Sequence, residues 1–309
     1  MMDTCTRVID EHIGSVNVVR FTADGTYCMT GSDDRTIKLW NPHKRDPSKS
    51  DTSALLIKTY DGAHGYSVLG LSISKDKTRF ASCGEDRTCY VWDVASGQTI
   101  RRIQAHNHKI NAVEFNDDAT VLITASYDQT VKCWDMRTSN RDPIQVMQDF
   151  KDSVTSLART ESAIIAGCVD GNVRIYDLRK GQLQCDNLKS PITSVCVSSD
   201  QNCYVASCLD NSVRLCEIAS GKLLKEYAGH KHSEFKGEAV FQADCNHILS
   251  GSEDGSLVRW NLVSGQVVNR TEKAHFKAVA SLAYHPSKAM FITASYDGTA
   301  KVWETSEKA

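Results

Sequence analysis

Ser82, His64 and Asp86 are the side-chain types that acyl transfer uses: a hydroxyl nucleophile, an imidazole base and a carboxylate to orient it. Two histidine pairs, His106 with His108 and His230 with His232, are of the type that ligates zinc. Repetition argues against the first chemistry. The same His, hydroxyl and Asp recur five times, as His12/Thr30/Asp34, His64/Ser82/Asp86, His106/Thr124/Asp128, His230/Ser250/Asp254 and His275/Thr293/Asp297. A nucleophile needs one exposed hydroxyl beside an oxyanion site, not five positions where Ser and Thr interchange. The zinc reading lacks a third ligand at a typical spacing, and there is no glycine-rich phosphate loop. No catalytic residue, metal or cofactor is expected.

Each set ends instead on an indole. Trp40, Trp92, Trp134, Trp260 and Trp303, all the Trp in the chain, stand six residues after the Asp. Indole N–H only donates, a hydroxyl and an imidazole do both, and a carboxylate only accepts, so Trp, Ser/Thr, His and Asp form a directional chain. Two further copies of the Asp turn lose the other members together: Asp170 comes with Ala166 and Tyr176, Asp210 with Ala206 and Cys216. A half-built buried network leaves an unpaired group at roughly 1–3 kcal/mol, which explains loss as a set.

These side chains need elements to hold them. Asp128 and Gln129 have turn chemistry, and Thr130 to Trp134 alternates β-formers with polar residues. The seven Asp residues are spaced by 52, 42, 42, 40, 44 and 43 residues, the period of units of four short strands in a propeller. The expected fold is all-β, one seven-bladed propeller over residues 1–309. Val16 to Phe21, Tyr27 to Ser32 and Thr36 to Asn41 begin the first unit. An orphan segment, Thr6 to Asp10, precedes them and is expected to close the ring as the outermost strand of the last blade. Residues 41–53, with Pro, Ser and Lys, read as a solvated insertion in blade one. Blade six reads as Phe235 to Phe241, His247 to Ser252 and Leu257 to Asn261, although His230 departs from the His spacing of the other units.

A net charge of −2 over 309 residues leaves no basic run to follow a phosphate backbone, and no apolar run is long enough to span a bilayer. Neither nucleic acid nor membrane is expected as a partner. Twelve Cys without a Cys-x-x-Cys pair, behind a start lacking an apolar signal segment, read as reduced thiols in the cytoplasm, with the nucleus as a second compartment.

The units GSDDRTIKLWN, GEDRTCYVWD, SYDQTVKCWD and SYDGTAKVWE resemble WD40 repeats over essentially the whole chain. The resemblance implies a non-catalytic platform for protein partners, monomeric within larger assemblies. More finely, SPITSVCVSSDQ, CVDGNVRIYDLRKGQL, GHKHSEFKGEAVF and SLAYHP resemble the mitogen-activated protein kinase organizer family, which implies a scaffold of kinase cascades, with a pre-mRNA splicing component as the alternative. The family's top face maps onto Asp33, Glu85, Tyr127, Val169, Leu209, Glu253 and Tyr296, flanked by Asn17, Leu69, Lys109, Asn111, Thr155, Pro191 and Thr193. Acids would steer a basic segment, Val169, Pro191 and Leu209 would form an apolar stretch, and Tyr127 and Tyr296 would be anchors. On the bottom face, Arg137 after Trp134-Asp135-Met136 resembles the motif by which some propellers dock to a cullin ubiquitin ligase as substrate receptors.

Overall fold

In a computed structural model, which describes residues 2–49 and 52–306, seven antiparallel four-stranded sheets are arranged in a ring. There is no helix among the described residues. The innermost strands touch their neighbours all the way round, Val16–Phe21 contacting both Val68–Ile73 and Val279–Tyr284. Seven apolar clusters form the core, one between each pair of adjacent blades. Position in the sheet follows from hydrophobic pattern. A second strand such as Met290–Ser295 is buried throughout because blades cover both its faces, whereas an outermost strand such as Leu223–Ala228 is largely exposed.

The ring closes as the orphan segment predicts, with a longer strand. Met2–Ile9 pairs antiparallel with Ala300–Ser306, placing Cys5 opposite Trp303 and Ile9 opposite Ala300. Apolar packing completes the seam, where Val16, Val19 and Trp40 of blade one meet Ile292, Ala294 and Val302 of blade seven. A buried ion pair adds to it. Asp3 accepts from Arg259 Nη2 at 2.7 Å, Thr305 Oγ1 at 2.8 Å and Asn269 Nδ2 at 2.8 Å, and both Asp3 and Arg259 side chains are 1% exposed. Arg259 belongs to blade six, so the first strand is fixed to two blades.

Two sequence expectations change here. Residues 41–53 are not simply a solvated loop: the third strand of blade one runs on through Ile37–Arg45, and Arg45 pairs with Ala54 at the start of the fourth. Residues 50 and 51 of that segment lie outside the described residues. The extension has a partner. Val8 N–H donates to Thr52 O at 2.7 Å and Val8 bridges Ser53, so the blade-one hairpin braces the closing strand. In blade six the innermost strand is only Ala239–Phe241, because residues 231–238 form a loop.

Removing Asp3 takes the carboxylate from a buried guanidinium that keeps Thr305 Oγ1 at 3.0 Å, and breaking such a buried ion pair costs about 3–5 kcal/mol. Asp3→Ala is therefore expected to shift the urea unfolding midpoint by that equivalent, and the double variant Asp3→Leu/Arg259→Met to recover most of it. An unchanged midpoint in the single variant would contradict the seam described here.

Candidate functional site

Four blades carry the complete hydrogen-bonded chain. Trp92 Nε1 donates to Ser82 Oγ at 2.8 Å, which lies 2.7 Å from His64 Nε2, and His64 Nδ1 lies 2.8 Å from Asp86 Oδ2. Because the carboxylate only accepts, Nδ1 carries the proton and the hydroxyl donates to Nε2. Blade one repeats this with Trp40, Thr30, His12 and Asp34, blade three with Trp134, Thr124, His106 and Asp128, and blade seven with Trp303, Thr293, His275 and Asp297. Ser82 is 0% exposed and its oxygen is engaged on both sides, so it has no access to a substrate.

Blade six has all four residues but does not assemble them. Trp260 Nε1 donates to Ala228 O at 2.8 Å, Ser250 Oγ to Gly251 O at 3.0 Å, and Asp254 pairs with Arg270 at 2.9 Å. Among the described residues, neither ring nitrogen of buried His230 has a hydrogen-bond partner. Loop length is the reason. His12 stands four residues before Val16, whereas nine separate His230 from Ala239, and the longer loop takes its own bonds. Glu253 accepts the amides of Ser233, Glu234 and Phe235 at 2.6, 2.6 and 3.0 Å. Burial would raise the Glu253 carboxyl, but these amides hold it down to about 2. Expected as a free acid for a basic partner, Glu253 is instead the cap of this loop.

Blades four and five keep the Asp by changing its partner. Arg174 donates to Asp170 at 2.7 Å and Arg214 to Asp210 at 2.5 Å, each from four residues on. Aromatic bulk also moves across a strand pair. Cys216 replaces Trp in blade five, and its cross-strand partner Tyr204 fills the space and donates to Asp186 at 2.8 Å.

Above this network the Asp turns form a regular crown. The residue after each Asp has positive φ, from Arg87 at 62° to Gly298 at 88°, which the short turn requires. The residue before each Asp donates its amide to the carbonyl ahead of the first strand, as in Tyr127 N to Lys109 O at 3.0 Å and Tyr296 N to Ala278 O at 3.1 Å. This places Asp33, Glu85, Tyr127, Val169, Leu209, Glu253 and Tyr296 in equivalent positions. Their availability differs. Asp33, Glu85 and Lys109 are exposed. Tyr127 is 50% exposed, with Lys109 Nζ 5.6 Å from its ring centroid and His108 edge-on at 5.8 Å. Tyr296 is half-buried against Phe235 at 5.7 Å, and burial together with Asp33 and Glu238 pushes its hydroxyl up to about 12. Val169, Pro191 and Leu209 are also half-buried, which narrows the expected apolar stretch.

The flanking polar residues have another task. Six of the first strands carry a bulge after their first residue, so the next side chain is re-aimed toward the following blade. Asn17 donates to Val68 O at 3.1 Å, Asn111 to Val154 O at 2.7 Å, Thr155 to Ile192 O at 2.7 Å and Thr193 to Gly237 O at 2.9 Å. Asn111, expected to meet a partner, is thus a bond between blades three and four. Arg137 on the opposite face is held by its own neighbour, Nε and Nη2 each 3.0 Å from the Asp135 carboxylate.

Sequence reading missed the side chain after the His. In blades one, three and seven its amide donates to the network Asp, Ile13 and Asn107 at 3.1 Å and Phe276 at 3.0 Å. That bond turns the side chain outward, leaving Ile13 90% and Phe276 93% exposed. The rule was readable from the position following each His. Through the middle of the ring runs a channel of about 680 Å³, crossed by a polar bond between blades: Arg20 grips Glu238 at 2.9 and 3.0 Å, and Ser281 donates to Glu238 at 2.6 Å.

The repeat of turn, network and four-stranded sheet defines a WD-repeat β-propeller. The WD domain, G-beta repeat profile matches residues 3–41, 221–261 and 266–304, and the nucleolar protein 10-like N-terminal domain profile matches residues 69–232. Among similar curated proteins, the Dictyostelium discoideum "WD repeat domain-containing protein 83 homolog" is 36% identical over 98% of this chain and 99% of its own. "WD repeat domain-containing protein 83" of Xenopus tropicalis is 44% identical over 94% of this chain and 88% of its own, and that of Homo sapiens 40% over 96% and 90%. The chain belongs to the WD repeat domain-containing protein 83 family, whose fold is generally a non-catalytic platform for protein interaction.

One substitution in two blades separates the assembled network from the unassembled one. Ser82→Ala unpairs Trp92 and His64 and is expected to cost about 2–4 kcal/mol, whereas Ser250→Ala, which breaks only local backbone bonds, is expected to cost about 1 kcal/mol. Equal losses in chemical denaturation would contradict the blade-six geometry. His230 carries a pH signature. Burial, then the nearby His232, pushes its folded value from 6.5 down to about 4, so the unfolded chain takes the proton first. Stability is therefore lost as pH falls from about 6.5 to about 4, by about 3 kcal/mol in total. His230→Gln should flatten that part of the profile of unfolding midpoint against pH.

Proposed function

We propose that this chain is a protein-interaction scaffold that organises a mitogen-activated protein kinase cascade in the cytoplasm. The scaffold reading is carried by one observation: buried bonds fix the crown while large side chains such as Tyr127 stand exposed on it. A rigid aromatic ring loses little entropy when a partner covers it, which suits it as an anchor. The kinase cascade is suggested by the similarity of blades four to seven to the organizer family.

The test is a quantitative pull-down read by mass spectrometry, comparing wild type with Tyr127→Ala, whose melting curve should be unchanged because the ring is exposed. Kinases of one cascade should be depleted at least about tenfold in the variant, the loss expected of a hot-spot residue. Recovery of splicing proteins in place of kinases would replace the cascade with a splicing complex. Identical partner sets from the two proteins would remove Tyr127 as an anchor.

A further inference from the structure

The top face is uneven in a way that points to a second, more specific surface. Ile13 of blade one and Phe276 of blade seven lie on adjacent blades, each held nearly fully exposed by an amide bonded to the network carboxylate. Blade six continues the apolar run, where Phe235 rests on Tyr296. Several large apolar side chains exposed along one run of neighbouring blades mark an interaction site, where the same residues scattered singly would not.

Between these residues lies a groove of about 370 Å³, the size of a side chain or two. Its floor is backbone: Gly14 and Gly298 face each other so closely that a Cβ on Gly298 would meet Gly14 O at 3.3 Å. Its charged lining is exposed Asp10 against the amine of Lys277, with His12 and Asp297 each held in a network. Exposed Asp33 stands beside it, and Asp33 and Glu238 are the charges that bear on the Tyr296 hydroxyl. Acids over a backbone floor, bordered by aromatic faces, complement a cation that also stacks on rings.

We propose that the groove between blades seven and one binds a linear segment of a partner protein in which large apolar side chains flank a Lys or Arg. The apolar side chains cover Ile13, Phe276 and Phe235, and the cation lies over Tyr296 toward Asp33. This rests on the scaffold reading and adds to it where, and to what chemistry, a partner docks. The site is on the other side of the crown from Tyr127, so two partners can be held at once.

The probe is a library of random linear peptides displayed on phage and selected on the full chain, with the enriched peptides then synthesised and titrated by fluorescence polarisation. Enriched sequences should combine apolar residues with Lys or Arg. Their Kd should rise at least about tenfold in Ile13→Ser/Phe276→Ser and severalfold in Asp33→Asn or at raised salt, while Arg137→Ala on the opposite face leaves it unchanged. Because the first two side chains are exposed, the double variant should keep its melting curve. Enrichment of acidic or uncharged peptides, or no enrichment, overturns the proposal. Equal affinity for the double variant also overturns it, and does so without touching the scaffold reading, which the pull-down tests separately.

Discussion

Closure of the ring is the constraint on which everything else depends. A single blade has two apolar faces and buries neither alone, so each of the seven core clusters exists only because a neighbour supplies the other half. An open array would end in two uncovered faces. The pairing of Met2–Ile9 with Ala300–Ser306 removes both, and it is reinforced from three directions: the Asp3–Arg259 pair to blade six, the hairpin contact to blade one, and the Arg20–Glu238 bond across the channel. These polar links gather at the one place where the chain does not hold itself together by continuity.

Within that frame the His–Asp network joins stability to display. Its members are buried, yet its carboxylate also accepts an amide at the surface, so the same Asp34 that orders His12 aims Ile13 outward. Where the network is absent the geometry is kept by other means, Arg174 and Arg214 holding their Asp turns. The crown is therefore regular in backbone and varied in side chains, which is what a platform for several proteins requires.

Much of this was legible in the sequence. The seven Asp turns, their period and the joint loss of His, hydroxyl and indole in blades four and five identify both the ring and the network, because each is local and repeated. What escaped depended on contacts between repeats. Asn111 reads as an exposed polar residue until the bulge after Ile110 aims it at blade four. Glu253 reads as a free acid until the loop that it caps is in place. Blade six was the instructive failure: residue types matched, but the spacing after His230, visible as a departure, decided that they would not meet. At 41–53 composition reports solvation and not strand pairing, and the partner of that segment, Val8, is remote in sequence.

The Asp turns bear on the chemical lifetime of the chain. Asp-Gly peptides are prone to age, the glycine nitrogen attacking the aspartyl side-chain carbonyl and expelling water to give a cyclic imide, whose hydrolysis leaves an isomerised backbone. Three of the seven repeated Asp turns contain that pair, at Asp170-Gly171, Asp254-Gly255 and Asp297-Gly298. In each, the carboxylate is held by Arg174, Arg270 or His275, and the glycine nitrogen is itself engaged, donating to Cys168 O, Ser252 O or Ser295 O. The nucleophile and its target are kept apart by the bonds that shape the turn, so these positions resist the spontaneous damage to which an exposed pair such as Asp61-Gly62 is open.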